Sequence, residues 1–262
     1  ARPFKKTHKA GQEVALDRLD IVPDKVFEKA NGSLGIRYFW KDKWRGATKF
    51  SFENDDYTKP MMEMLSSKNM EALDRAKTHL FEIILPNDSH IVDYGGKREL
   101  IFLNSIDSTT GEMDAWESVA SAAEALGVRT ARDMSADFSG MTIAEIYRLA
   151  QNPEGNLQNL EGMMARYHDA QDNDILVKVK VREYDDKKFV RDRLDWERII
   201  KSVDLKTMTI PAQKKEELLS YNFDNAFARA ALEARIEWIR NVYERVVADT
   251  REFVFGPHSI AI

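Results

Sequence analysis

Residues 175–184 read Ile-Leu-Val-Lys-Val-Lys-Val-Arg-Glu-Tyr. Ile175, Val177, Val179 and Val181 alternate with Lys178, Lys180 and Arg182. Successive side chains of an extended chain point to opposite faces, so this segment is apolar on one side and cationic on the other. Such a strand needs partners in a sheet and a core against its apolar face. The pattern predicts a strand over 175–184 and commits the chain to a half-buried sheet.

Further strands are predicted over 36–40 and 48–52, joined by a loop through Asp42 and Gly46. A strand over 79–85 follows, then strands over 90–94 and 98–104 paired about Gly95-Gly96, a dipeptide suited to positive φ. Residues 20–30 suggest one helical turn, and 31–35 a turn cluster. Helices are predicted over 60–77 and over 112–126, the second capped by Gly127. Thr142-Ile143-Ala144-Glu145 is a capping box. Residues 157–167, 192–203 and 211–220 also read as helical. A long C-terminal helix opens at Phe223 and closes at Phe253, with Phe227, Ala231, Ala234, Trp238, Val242 and Val246 recurring at threes and fours. Strands cluster instead of alternating with helices, which predicts an α+β fold. The expected form is a small antiparallel sheet or OB-like barrel with several helices and the long C-terminal helix. The organisation reads as a basic arm over 1–20, a mixed body over 21–205 and a helical part over 206–262.

Cysteine is absent, which excludes disulfides, thiolate metal sites and cysteine nucleophiles. It suits a reducing compartment, and a cytoplasmic location is expected, the host cytoplasm for a viral protein. The net charge is -5, so any contact with nucleic acid must be a local patch. Residues 37–52 supply one. They hold the aromatics Tyr38, Phe39, Trp40, Trp44, Phe50 and Phe52 and the cations Arg37, Lys41, Lys43, Arg45 and Lys49, with Asp42 the single acid. Rings stack on unpaired bases, worth about 1–3 kcal/mol per base, and cations follow the phosphates. The candidate stacking residues are Tyr38, Trp40 and Trp44. The candidate phosphate contacts are Arg37, Lys41, Lys43, Arg45 and Lys49, extended by Lys178, Lys180 and Arg182. The competing reading makes the rings core and the lysines solvated edge residues.

No catalytic signature competes. The five histidines are scattered, without His-Glu-x-x-His or Glu-x-x-His spacing. The acidic turn over 169–174 lacks the EF-hand pattern. Gly95-Gly96-Lys97 fails as a phosphate loop, since Arg98 stands where Ser or Thr belongs. No apolar run approaches bilayer length. No catalytic residue, metal ligand set or cofactor is expected.

The run from His79 through the hairpin to Asn104, the helix end Glu124-Ala125-Leu126-Gly127-Val128 and the strand Ile175-Leu176-Val177-Lys178-Val179-Lys180-Val181 follow one order. This order resembles that of bacteriophage single-stranded DNA-binding proteins of the OB-fold kind. The resemblance implies binding of unpaired DNA in replication and recombination, without cofactor. The chain departs from that family in ending Ser259-Ile260-Ala261-Ile262 instead of in an acidic tail. The expectation is a non-enzymatic single-stranded nucleic-acid-binding protein of viral type. The alternatives are a structural or assembly subunit of a virion or multiprotein complex, and a metal-dependent nuclease. Expected partners are single-stranded nucleic acid and, through the long helix, a second copy or another protein; no membrane is expected.

Overall fold

The computed structural model describes residues 1–49, 51–52, 56–86, 88, 91–204, 206–219 and 226–255. Phe50, the Asn54-Asp55 turn, His90, the helix start at Phe223 and the tail over 256–262 lie outside the described residues. The chain divides into two compact units, Ala1–Tyr184 and Asp185–Ile262.

The first unit contains, in order, β1 (His8–Lys9), β2 (Lys25–Lys29), β3 (Ser33–Trp40), β4 (Lys43–Thr48), α1 (Thr58–Ser66), β5 (Lys77–Ile84), β6 (Glu99–Asp107), α2 (Trp116–Leu126), β7 (Arg129–Thr130), α3 (Ile143–Ala150), β8 (Gly162–His168) and β9 (Asp174–Lys180). They form two sheets, a four-stranded one ordered β1-β9-β8-β2 and a five-stranded one ordered β4-β3-β5-β6-β7. Each is mixed, because β1 joins β9 and β7 joins β6 in parallel while the other neighbours are antiparallel. The α+β class holds. The OB-like barrel does not, since both sheets are open.

The hydrophobic pattern explains the layers. Met61 and Leu65 of α1 and Val119, Ala123 and Leu126 of α2 bury against Phe81, Ile83 and Phe102 on the outer face of the five-stranded sheet. Ile143, Ile146 and Ala150 of α3 bury against Met163, Ala165, Val177 and Val179 of the four-stranded sheet. The capping box forms as the sequence predicts: Thr142 accepts from the Glu145 amide while the Glu145 carboxylate accepts from the Thr142 amide. Gly127 closes α2 at a φ of 76°.

Several local predictions change. Residues 157–167 were expected to be helical, but Gly162–His168 is strand β8, laddered on both sides by β2 and β9. Lys25–Lys29 is a strand, not a helical turn, because Val26 buries beneath that same sheet. The β3–β4 turn is the two-residue Lys41-Asp42, both at positive φ, so the second strand is Lys43–Thr48 and Gly46 lies within it. The strand partnered with β6 is β5, from Lys77↔Asp107 to Ile84↔Glu99, and residues 91–94 are a bend and irregular chain instead of a strand. The strand at 175–184 stops at Lys180, and Arg182 opens a helix.

That helix, α4 (Arg182–Arg193), runs across the unit boundary. The second unit continues with α5 (Trp196–Ser202), α6 (Ala212–Leu219) and the long α7 (Ala226–Phe255). Its core gathers Leu194, Ile199, Ile210, Leu219, Ala228, Leu232 and Ile236. Among the described residues no helix is long and apolar enough to cross a membrane.

Candidate functional site

The inner faces of the two sheets enclose a cavity of about 350 Å³. Its apolar walls come from Phe27, Leu34, Leu103, Met113, Trp116, Met164 and Leu176. The rings of Phe27 and Trp116 lie 4.3 Å apart, centroid to centroid. Lys29, Lys49, Glu82, Arg166 and Lys178 bring charge to its lining. Apolar walls with a few convergent polar groups are the usual make-up of a small-molecule site.

Lys29 is the last residue of β2. Val26 faces the core, so the two-residue period turns Phe27 and Lys29 to the cavity. Lys29 Nζ lies 2.7 Å from Glu161 Oε1, and Lys180 Nζ lies 3.2 Å from the same oxygen. Glu161 is only 5% exposed. One buried carboxylate thus holds two ammonium groups from two strands. Lys180 also sits 4.6 Å above the Tyr184 ring.

The three residues after Lys29 fix its position. Ala30 is buried against Ile84, Ile101 and Ala131. Asn31 is buried and ties several segments together. Its Oδ1 accepts from the amides of Ile91 and Val92 at 3.0 and 3.2 Å. Its Nδ2 donates to Glu161 Oε2 at 3.2 Å and Tyr184 Oη at 3.1 Å, and its amide donates to Tyr94 Oη at 2.7 Å. A Cβ on Gly32 would stand 2.4 Å from the Ile83 carbonyl oxygen, so the β2–β3 link passes β5 only as glycine. The Gly32 amide donates to Glu82 Oε1 at 2.8 Å.

Burial pushes the Glu82 carboxyl up to about 7, against the pull of Lys29 and the Gly32 amide and with a further push from Glu161. An unfolded glutamate ionises near its ordinary value. Between there and pH 7 the folded state therefore keeps a proton that the unfolded state has lost. Stability from this group is present at low pH and lost as pH rises through 7. Wild-type protein should be more stable to urea at pH 5 than at pH 8, with Glu82 contributing on the order of 2 kcal/mol of the difference. Glu82→Gln, which keeps an acceptor for Gly32, should flatten that dependence; equal pH slopes in both proteins would refute the assignment.

The residues singled out from sequence separate into groups. Lys178 lines the cavity and Lys180 binds Glu161. Lys49 stands at the cavity wall. Trp40 is 53% exposed, and Lys41, Lys43 and Arg45 are exposed beside it. Tyr38 is half-buried. Arg37 and Trp44 lie on the opposite face of the sheet. Arg37 is 6% exposed, reaches Met62 Sδ, and packs 5.5 Å from the Trp44 ring. Burial lowers its guanidinium to about 10. Arg182 is exposed at the start of α4.

Sequence reasoning missed Lys29, Asn31, Gly32, Glu82 and Glu161. Signals existed: Glu82 interrupts the apolar run Leu80-Phe81-Glu82-Ile83-Ile84-Leu85, and Lys29 stands two residues before an Asn-Gly pair. A carboxylate on the inner side of a central strand requires partners.

The RNA ligase family model matches residues 12–184. Among solved structures, an archaeal ATP-dependent RNA ligase aligns with a TM-score of 0.58 at 13% identity, covering 91% of this chain and 64% of that one. A Naegleria gruberi RNA ligase with pyrophosphate aligns with a TM-score of 0.51 at 13% identity, covering 70% of this chain and 57% of that one. A lysine variant of the Naegleria gruberi enzyme with ATP and Mn aligns with a TM-score of 0.50 at 16% identity, covering 68% and 54%. At these identities the likeness concerns the fold. This chain spans less than two thirds of the length of each of these structures. A sequence search of curated proteins gave no match.

These matches correct the functional expectations. The resemblance to phage single-stranded DNA-binding proteins rested on the order of elements, and the family match replaces it. The non-enzymatic reading, the virion or assembly subunit, the nuclease and the replication-protein role fall with it, because the matched family is one of enzymes that join RNA. The match covers most of the residues that line the cavity, from β2 with Lys29 to β9 with Lys178, and this chain belongs to the RNA ligase family.

Proposed function

We propose that residues 1–184 form the nucleotidyl-transfer unit of an ATP-dependent RNA ligase and that Lys29 is its nucleophile. The observation that carries this reading is Lys29 Nζ on the wall of a nucleotide-sized cavity, 2.7 Å from Glu161, with Lys178 and Lys180 on β9 of the same sheet. Joining two RNA ends with ATP requires turning a 5′-phosphate into an electrophile with a good leaving group. The Naegleria structures hold ATP in one case and pyrophosphate in another, which fits cleavage between the α- and β-phosphates.

In this reading the adenine enters the apolar part of the cavity near Phe27, Met164 and Trp116. The amine of Lys29 attacks the α-phosphorus. A nitrogen–phosphorus bond forms, the α–β phosphoanhydride bond breaks, and pyrophosphate leaves. An ammonium has no lone pair, so the amine must first lose a proton, and Glu161 Oε1 is within hydrogen-bond reach to accept it. Lys178 and Lys180 offset charge building on the phosphates. The adenylyl group then passes to an RNA 5′-phosphate, and a 3′-hydroxyl displaces AMP.

A divalent ion bound with ATP takes most of its ligands from phosphate oxygens and water, with one or two carboxylates. Among the described residues no three acidic or histidine side chains gather to hold an ion by themselves, so such an ion would be held mainly by the ATP phosphates, where it would add positive charge.

The test is incubation of the protein with ATP labelled on either the α- or the γ-phosphate, followed by denaturing electrophoresis. Label from the α-position should stay on the protein and label from the γ-position should not. Absence of covalent α-label would sink the proposal.

A further inference from the structure

Resting on that reading, we propose that the exposed hairpin end of β3 and β4, on their cavity-side face, is a docking track for single-stranded RNA. The register defines this face. Ile36 pairs with Ala47, Tyr38 with Arg45 and Trp40 with Lys43, and paired residues lie on one side of the sheet. Leu34 of β3 and Lys49 just beyond β4 line the cavity. Beyond the cavity this face is buried at Ile36 and Ala47, which pack with Leu80 and Ile106, and it opens to solvent again at the hairpin end with half-buried Tyr38 and exposed Arg45, Trp40 and Lys43, the last pair about 20 Å from Leu34 at strand spacing.

Three observations point to RNA on it. The chain is acidic as a whole, yet Lys41, Lys43 and Arg45 stand exposed together here. Lys43 and Arg45 are two apart on one strand, about 6.6 Å, which suits successive phosphates of an extended strand. Trp40 offers an exposed indole, held by Lys41 Nζ at 4.4 Å from the ring centre, and stacking on it needs an unpaired base. The opposite face is unavailable, since Met61 and Thr58 of α1 pack against Gly46 and Met62 against Arg37.

The probe is a short 5′-phosphorylated oligoribonucleotide, with binding followed by fluorescence anisotropy across a salt series. Wild-type affinity should fall with salt. A Lys43→Ala, Arg45→Ala double variant should lower the log–log salt slope by about 1.4, from about 0.7 per phosphate contact on a single strand. Trp40→Ala should weaken binding about 10-fold or more. All three side chains are at the surface, and thermal unfolding checks that each variant is folded. Unchanged affinity and slope in folded variants would overturn the track, and this face would then have another use. Covalent α-label on the wild-type protein is read separately. Label with unchanged RNA affinity sinks the track alone, whereas absent label sinks the nucleotidyl-transfer reading itself.

Discussion

Lys29→Ala should lose covalent capture of AMP by at least about 1,000-fold, the scale on which removal of a reacting group acts. Lys180 is not expected to take its place, because it is committed to the same Glu161 oxygen and to the Tyr184 ring. Lys29→Arg should fail equally. A guanidinium stays protonated and offers no nucleophilic lone pair, although it preserves the charge beside Glu161. The Arg variant therefore separates nucleophile from counter-ion. If it retained labelling, Lys29 would be a charge partner only. Should Lys29→Ala keep the label while Lys180→Ala loses it, the nucleophile would be Lys180, and the shared carboxylate would have been read from the wrong side. The Ala variant is expected to fold, because Lys180 still neutralises Glu161 and Asn31 still donates to it.

How much of this site was legible beforehand depended on whether its signal was local. The capping box at Thr142, the cap at Gly127 and the alternation at 175–181 are local, and each appears in the structure as read. That last strand brought Lys178 and Lys180 to attention for phosphate contact, and it is β9 that carries them to the cavity and to Glu161. The catalytic proposal needs Lys29, Glu82 and Glu161, which stand far apart in sequence and meet only through the pairing of β2 with β8 and of β3 with β5. Strand β8 is where local reasoning failed. Residues 157–167 carry a mixture of apolar and polar side chains that fits a helix about as well as a strand, and long-range pairing decides between them. Losing β8 removed the neighbour of β2, and with it any reason to see Lys29 beside Glu161. The aromatic segment over 37–52 was conspicuous because its composition is unusual. Composition did not show that Trp44 faces α1 while Trp40 stands exposed on the opposite, cavity-side face, since that follows from a two-residue turn at Lys41-Asp42 in place of the longer loop expected.

Gly162→Ala should be the most damaging single-methyl substitution in the unit. Its φ of 154° lies outside what L side chains readily adopt, and a Cβ there would stand 2.1 Å from the Val179 carbonyl oxygen and 2.8 Å from the Lys180 Cα. Both contacts are backbone, so no rotamer change relieves them. Strain and overpacking together should cost about 3 kcal/mol or more. At about 2–4 °C per kcal/mol for a chain of this size, Tm should fall by about 6 °C or more. Gly140→Ala is the matched comparison. It too has positive φ, at 76°, but nothing lies within 4 Å of its Cβ position, so only the backbone penalty of about 1–2 kcal/mol applies. Equal losses in the two variants would show that the contact with β9 contributes nothing. A larger loss at Gly162 carries a functional corollary. Gly162 pairs with Lys180 and follows Glu161, so displacing β9 by even a few tenths of an ångström moves Glu161, the partner of the Lys29 ammonium, and Lys180, which shares that oxygen. AMP capture by Gly162→Ala should therefore fall at temperatures where the protein is still folded, whereas Gly140→Ala should lose only stability.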